Sequence, residues 1–234
     1  MIFYESDEYQ GMIMSSEIPV ACPITVKKHA DGFLDITTIR WTKYIAEEIE
    51  AKFADDPFTP EALDRFHLSA SSFLATCGYG YDRESSTPIA EYTLDSADLL
   101  PEIIPEDAVL IMRPALDGDD PDILADHECI LPFDPDESEC AAVIVDDRIV
   151  CLAQINDYSD SEGTEITVEC APEYRGRGYA KAACAELCRF LIENGETVTY
   201  KTYISNKAST ALAESLGFTR TAVSLTAVGI HDGT

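Results

Sequence analysis

Between Thr164 and Leu191 the sequence reads TEITVECAPEYRGRGYAKAACAELCRFL, and few architectures accommodate that order of patterns. Ile166, Val168 and Cys170 alternate with Glu165, Thr167 and Glu169, the two-residue period of a half-buried strand. The loop Ala171-Pro172-Glu173-Tyr174 follows, then Arg175-Gly176-Arg177-Gly178. From Tyr179 the apolar residues Ala183, Leu187, Phe190 and Leu191 recur at helical spacing. Strand, glycine-rich turn and helix together suit an anion. The helix start offers unpaired N–H groups and partial positive charge, glycines let a phosphate approach the backbone, and Arg175 and Arg177 add full charges.

Arg175-x-x-Gly178-x-Ala180, after a strand and a Pro-Glu-Tyr loop, resembles the acetyl-CoA pyrophosphate loop of the GNAT superfamily of N-acetyltransferases. Further on, Asn206-Lys207-Ala208-Ser209 through Leu216-Gly217-Phe218 is similar to that family's later signature, an Asn opening a helix that ends in Leu-Gly-Phe. The two motifs occur in the expected order, about thirty residues apart. The resemblance covers residues 140 to 221. It implies an α/β fold of GNAT type: a mixed, largely antiparallel sheet flanked by helices. It implies acetyl-CoA, or another short acyl-CoA, as cosubstrate, with no metal. Arg175, Gly176, Arg177, Gly178, Tyr179 and Ala180 would hold the pyrophosphate. Val168, Glu169 and Cys170 match the strand positions whose backbone pairs with the pantetheine arm and the thioester carbonyl, and Asn206 matches a polar contact to the same arm.

The implied reaction is acyl transfer to the primary amine of a small molecule. Freeing the lone pair of a lysine-type amine at pH 7 costs about 4–5 kcal/mol, so a base is needed. Glu165 and Glu169, on the polar side of the strand, are the candidates, acting directly or through water. Ala213 stands seven residues after Asn206, where many family members carry a Tyr that protonates the departing thiolate. Tyr179, Tyr200 and Tyr203 are the possible substitutes. Lys201 stands where some peptide-acetylating relatives have an acid, which argues against a ribosomal-protein acetylase. A second class of reading is a non-catalytic acyl-CoA-binding regulatory module. A dinucleotide fold fails at the third glycine of its motif, where Lys181 stands.

Upstream the signals thin out. Ile45, Ile49 and Phe53 mark a helix over 42–53, ended by Pro57. Thr59-Pro60-Glu61 opens a second, running to about Cys77 before Gly78. Val109 to Met112 is a short apolar run with strand character, and Asp117–Pro121 and Asp134–Glu139 read as turns within a very acidic stretch. Ala141–Val145 and Ile149–Ala153 read as a hairpin across Asp146-Asp147-Arg148, Thr197–Tyr203 as a strand, and the tail as one more. That tail is short for the family, so a final strand is either missing or supplied by a partner chain in a homodimer. Residues 1–129 are therefore expected to form an acidic, α-rich acceptor-side region, and 130–234 the acetyltransferase core.

A formal charge of −28 argues against nucleic acid and anionic membrane as partners and favours a cationic acceptor by electrostatic steering; general solubility is the competing account. The eight cysteines fall largely within apolar patterns and lack zinc-site spacing, which suits reduced core thiols in the cytoplasm. The first residues lack the basic and apolar regions of a signal peptide.

Overall fold

The computed structural model of the chain describes residues 1–15, 18–103, 105–113, 139–146, 148–156 and 163–231. Its contacts divide the chain into two compact units, Met1–Glu91 with Tyr203–Ser205 and Arg220–Thr234, and Tyr92–Thr202 with Asn206–Thr219. The boundary expected at 129/130, the turns at 117–121 and 134–138, and Asp147 lie outside the described residues.

In the first unit β1 (Ile2–Tyr4) runs parallel to β4 (Leu34–Thr38), and β4 pairs antiparallel with β3 (Ile24–His29). β12 (Thr219–Thr226) pairs antiparallel with β3, placing Leu225 opposite Val26. A second small sheet joins β2 (Val20–Ala21), β13 (Gly229–Ile230) and β5 (Gly80–Tyr81). Helices α1 (Asp7–Met14), α2 (Lys43–Phe53) and α3 (Pro60–Thr76) complete the unit. The two helices expected from sequence are α2 and α3. Thr59 caps α3 by accepting from Ala62 N, and Ile45 and Ile49 pack with Ile36, Phe66 and Leu225 in one buried cluster. The strands β1, β3 and β4 and helix α1 were not foreseen, so this region is mixed rather than simply helical. The strand expected of the tail is β12.

In the second unit β7 (Val109–Arg113), β8 (Cys140–Val145), β9 (Arg148–Ile155) and β10 (Thr164–Cys170) form an antiparallel run, and β11 (Val198–Tyr203) adds to β10 in parallel. A parallel neighbour requires a crossover, and α4 (Tyr179–Glu193) is that crossover. Ala182, Ala183, Leu187 and Leu191 on α4 are buried, as the helical spacing required, and α4 packs on β8, β9 and β10. α5 (Lys207–Ser215) follows β11 and stops at Gly217. β6 (Ile89–Leu94) contains the division between the units. Among the described residues no helix is long and apolar enough to cross a membrane, and no cluster of metal-ligating side chains occurs.

Candidate functional site

Strands β10 and β11 are in register for two pairs only, Thr164 with Val198 and Glu165 with Thr199. Their start is pinned. Thr164 N donates to Thr197 O at 2.9 Å, and a Cβ on Gly163 would stand 2.6 Å from that same oxygen, so only glycine permits the approach. Beyond Glu165 no register pair joins the two strands among the described residues, an opening in the pairing that runs along the last five residues of β10. Their backbone direction follows from β9: Asn156 N donates to Glu165 O, and Ala171 N to Val150 O. Odd-numbered residues of β10 thus bond toward β9, and alternation turns the N–H and C=O groups of Ile166, Val168 and Cys170 toward the β11 side.

The chain leaves this strand through a short helical turn, Pro172–Tyr174, and reaches the glycine loop. Gly176 has φ 78°, and Gly178, the N-cap of α4, has φ 85° and ψ 0°. An L-residue pays for that left-handed conformation, whereas glycine does not. Among the described residues nothing lies within 4 Å of a Cβ built on either glycine. Among the described residues no side chain caps α4, so its first amides suit an anion. The positive φ, and not a close neighbour, is the structural reason for glycine at both positions.

Both arginines are held. Arg175 Nε donates to Cys170 O at 2.9 Å, tying the loop back onto the end of β10. Arg177 lies over the Tyr174 ring at 5.0 Å, donates to Glu173 O at 3.4 Å, and stands 4.0 Å from an Asp107 carboxylate oxygen. Arg177 therefore has local structural partners that its sequence context did not reveal. Tyr179 is 1% exposed, and burial pushes its phenol pKa up, with the Asp107 carboxylate adding. Ala180 follows it in the first turn of α4.

The two candidate bases differ. Glu165 is 8% exposed: its Oε1 accepts from Asn156 Nδ2 at 2.9 Å, and its Oε2 pairs with Lys201 Nζ at 3.2 Å. The polar side of β10 is thus not a solvent face. Leu152, opposite Glu169, joins Cys140 and Ala142 in a buried cluster. Glu169 is half-buried and lies about 13 Å farther along the strand, in the stretch beside the opening. Lys201 and Asn156, the partners of Glu165, were missed as a group. Lys201 is aligned by the parallel register that the crossover makes and Asn156 by the antiparallel pairing with β9, and neither alignment has a local signal.

Asn206 is the N-cap of α5, its Oδ1 accepting from Ser209 N at 3.1 Å, and Ser209 Oγ is 2.5 Å from the Tyr200 hydroxyl. Burial pushes Tyr200 up to about 12. Ala213 is buried in the same helix, and Tyr203 is largely exposed. The structure therefore brings Val168, Glu169 and Cys170 into one continuous run with the loop 175–180, holds Glu165 in the paired part of β10, and assigns Asn206 a capping bond.

Residues 140–223 match the family model described as GNAT acetyltransferase. The matched segment takes in β8 to β11, α4, α5 and the glycine loop. A Drosophila protein of known X-ray structure is similar over 95% of this chain and 86% of its own, at 13% identity and a TM-score of 0.51. A GCN5-related N-acetyltransferase from Sphaerobacter thermophilus is similar over 71% of this chain, which spans 58% of that protein, at 18% identity and a TM-score of 0.50. A GNAT-family protein from Novosphingobium aromaticivorans is 24% identical over 65% of this chain and 68% of its own, with a TM-score of 0.49. The first two resemblances bear on the fold, which is the mixed, largely antiparallel sheet flanked by helices that the sequence led us to expect. No curated protein matches the chain.

Proposed function

We propose that the protein is an N-acetyltransferase that moves an acetyl group from acetyl-CoA to the primary amine of a small, cationic molecule in the cytoplasm. The observation that carries this reading is the opening between β10 and β11, continuous with a left-handed glycine loop on the uncapped start of α4. These features fit the cosubstrate: an anion-accepting loop beside a strand edge with outward backbone groups. Acetyl-CoA supplies an activated acyl thioester. The backbone N–H groups at Gly178, Tyr179 and Ala180 would take the pyrophosphate, with Arg175 and Arg177 neutralising it. The backbone of Val168 and Cys170 would pair with the pantetheine arm, Val168 N–H polarising the thioester carbonyl. Asn206, with its Oδ1 engaged in the cap, retains an amide nitrogen to offer the arm.

Glu169 is the favoured base, since it lies in the stretch of β10 past its pairing with β11, close in sequence to the glycine loop. It would receive the ammonium proton, directly or through water, and so offset the roughly 4–5 kcal/mol needed to expose the lone pair. With alanine at 213, the tyrosine bonded to the same helix is Tyr200, through Ser209. A phenol near 12 is a weak acid toward a thiolate whose conjugate acid lies at about 8.5. The thiolate accordingly departs without help from Tyr200 and takes the second amine proton. The net charge of −28 would draw a cation toward the chain.

The buried alanine at 213 favours one further reading, a regulatory module that binds acyl-CoA without turnover. Thiol release from acetyl-CoA, followed across polyamines, amino acids, aminoglycosides and peptides, separates the two. Turnover with one amine class, lost in Arg177→Ala/Gly178→Trp and slowed at neutral pH in Glu169→Gln, is expected. Calorimetric binding without turnover on any amine would establish the regulatory module instead, and no binding at all would sink both.

A further inference from the structure

Cys151 on β9 and Cys170 on β10 stand directly opposite each other in register. Because bonded pairs occupy the odd positions of β10, Cys170 and Cys151 form a non-hydrogen-bonded pair. In such pairs the Cα atoms lie about 4.5 Å apart and the side chains are at their closest, within the roughly 4.4–6.8 Å that a disulfide spans. Both are thiols here. Cys151 is wholly buried, but Cys170 is only half-buried, at the strand end where the glycine loop begins. A hydrogen bond with Cys151 lowers the Cys170 thiol pKa, and the Arg175 and Arg177 guanidiniums add to this against the effect of burial. The more accessible sulfur is thus also the one whose thiolate is favoured.

We propose that Cys151 and Cys170 form a reversible cross-strand disulfide, a redox modification site at the foot of the glycine loop. With glutathione disulfide as oxidant, the Cys170 thiolate attacks one sulfur, the glutathione S–S bond breaks, and one glutathione leaves as thiolate. Cys151 passes its proton to that thiolate and attacks the Cys170 sulfur, displacing the second glutathione. Two protein thiols are oxidised and one glutathione disulfide becomes two glutathiones. Cys151 needs no access of its own, since its attack is intramolecular. Disulfides favour a Cα separation about 1 Å wider than this pairing, so oxidation moves Cys170, whose carbonyl anchors Arg175. The consequence for the loop rests on the acyl-CoA reading above; the linkage does not.

The test equilibrates the full chain across reduced-to-oxidised glutathione ratios, alkylates it, and maps linked peptides by mass spectrometry. A Cys151–Cys170 peptide that accumulates with oxidation, reverses with dithiothreitol and is missing from Cys151→Ala is expected. Its absence under full oxidation, or linkage of Cys151 chiefly to another cysteine, overturns the site. Acetyl-CoA affinity, measured by calorimetry on both forms, is expected to weaken at least three-fold on oxidation of the wild type and to be restored by dithiothreitol. An unchanged affinity despite complete linkage overturns the coupling to the loop. Failure of the reduced protein to bind acetyl-CoA refutes the acyl-CoA reading and leaves the peptide map to decide the linkage.

Discussion

Gly178 separates two roles that a loop glycine can have, and a three-variant series resolves them. Its φ of 85° is a conformation that an L-residue adopts at a cost of about 1–2 kcal/mol. Nothing within 4 Å would obstruct a Cβ, so Gly178→Ala bears that conformational cost and no steric one. For a chain of this size each kcal/mol lowers Tm by about 2–4 °C, so the alanine variant should melt about 2–8 °C lower. Gly178→Asn should recover part of that, since asparagine tolerates the left-handed region. Gly178→Trp should melt close to the alanine variant, its ring projecting into open space. Affinity behaves differently. A tryptophan over the loop denies an anion its hydrogen bonds to the α4 amides, each worth about 1.5–3 kcal/mol when charge-assisted, which weakens acetyl-CoA about 10- to 100-fold per bond lost. Scanning calorimetry reads the first effect and titration calorimetry the second. An alanine variant that melts with the wild type would refute the conformational argument; a tryptophan variant that binds acetyl-CoA normally would refute the placement of the pyrophosphate.

Tyr200→Phe should change kcat less than three-fold, because a phenol at about 12 is too weak an acid to drive thiolate departure; a hundred-fold loss in steady-state turnover would make Tyr200 the general acid. Lys201→Met leaves the largely buried Glu165 carboxylate without its cation and should cost about 2–4 kcal/mol by urea denaturation, most of it recovered in Glu165→Gln/Lys201→Met; an additive double variant refutes the coupling. His67, 4% exposed on α3, is pushed down to about 4, first by burial and then by Arg83, and it shares a short hydrogen bond with the Tyr81 hydroxyl. The unfolded ring, at about 6.5, binds its proton first, so this stabilisation is whole above pH 6.5 and lost as pH falls toward 4, by up to about 3 kcal/mol. Urea midpoints measured between pH 4 and 7 should therefore slope less in His67→Gln, and equal slopes would count against a buried neutral ring.

What could be read from the sequence was what is encoded locally. α4 announces itself because Ala183, Leu187 and Leu191 repeat with the helical period and meet the sheet; Asn194-Gly195 ends it, with Gly195 at φ 87°. The hairpin of β8 and β9 is two apolar runs around a turn, with Asp146 at φ 50°. β3 was illegible because Ile24 and Val26 are its only fully buried apolar positions before two lysines intervene. Those lysines are answered from afar, Lys27 by Glu91 and Lys28 by the Ala54 carbonyl. Glu165 shows the same limit inside the site. Alternation identified its side of the strand, but not that Asn156 and Lys201 stand beside it, because their alignment is set by the fold and not by spacing.

The opening beside β10 follows from how parallel strands must be joined. β10 and β11 are tied at their starts, where Gly163 admits the Thr197 carbonyl, and Glu165 and Lys201 bridge the next turn of register. Past that point each strand answers to a different neighbour: β10 to β9 through Ala171, and β11 to α5 through Tyr200 and Ser209. Among the described residues no further register pair joins the two strands, so Val168 and Cys170 keep backbone groups directed away from β9 at the place where the crossover helix also begins. One segment, from Gly163 to the first turn of α4, therefore supplies the strand edge, the anion loop and the helix start together. Substitutions elsewhere in the chain should alter which amine is accepted sooner than they abolish cosubstrate binding.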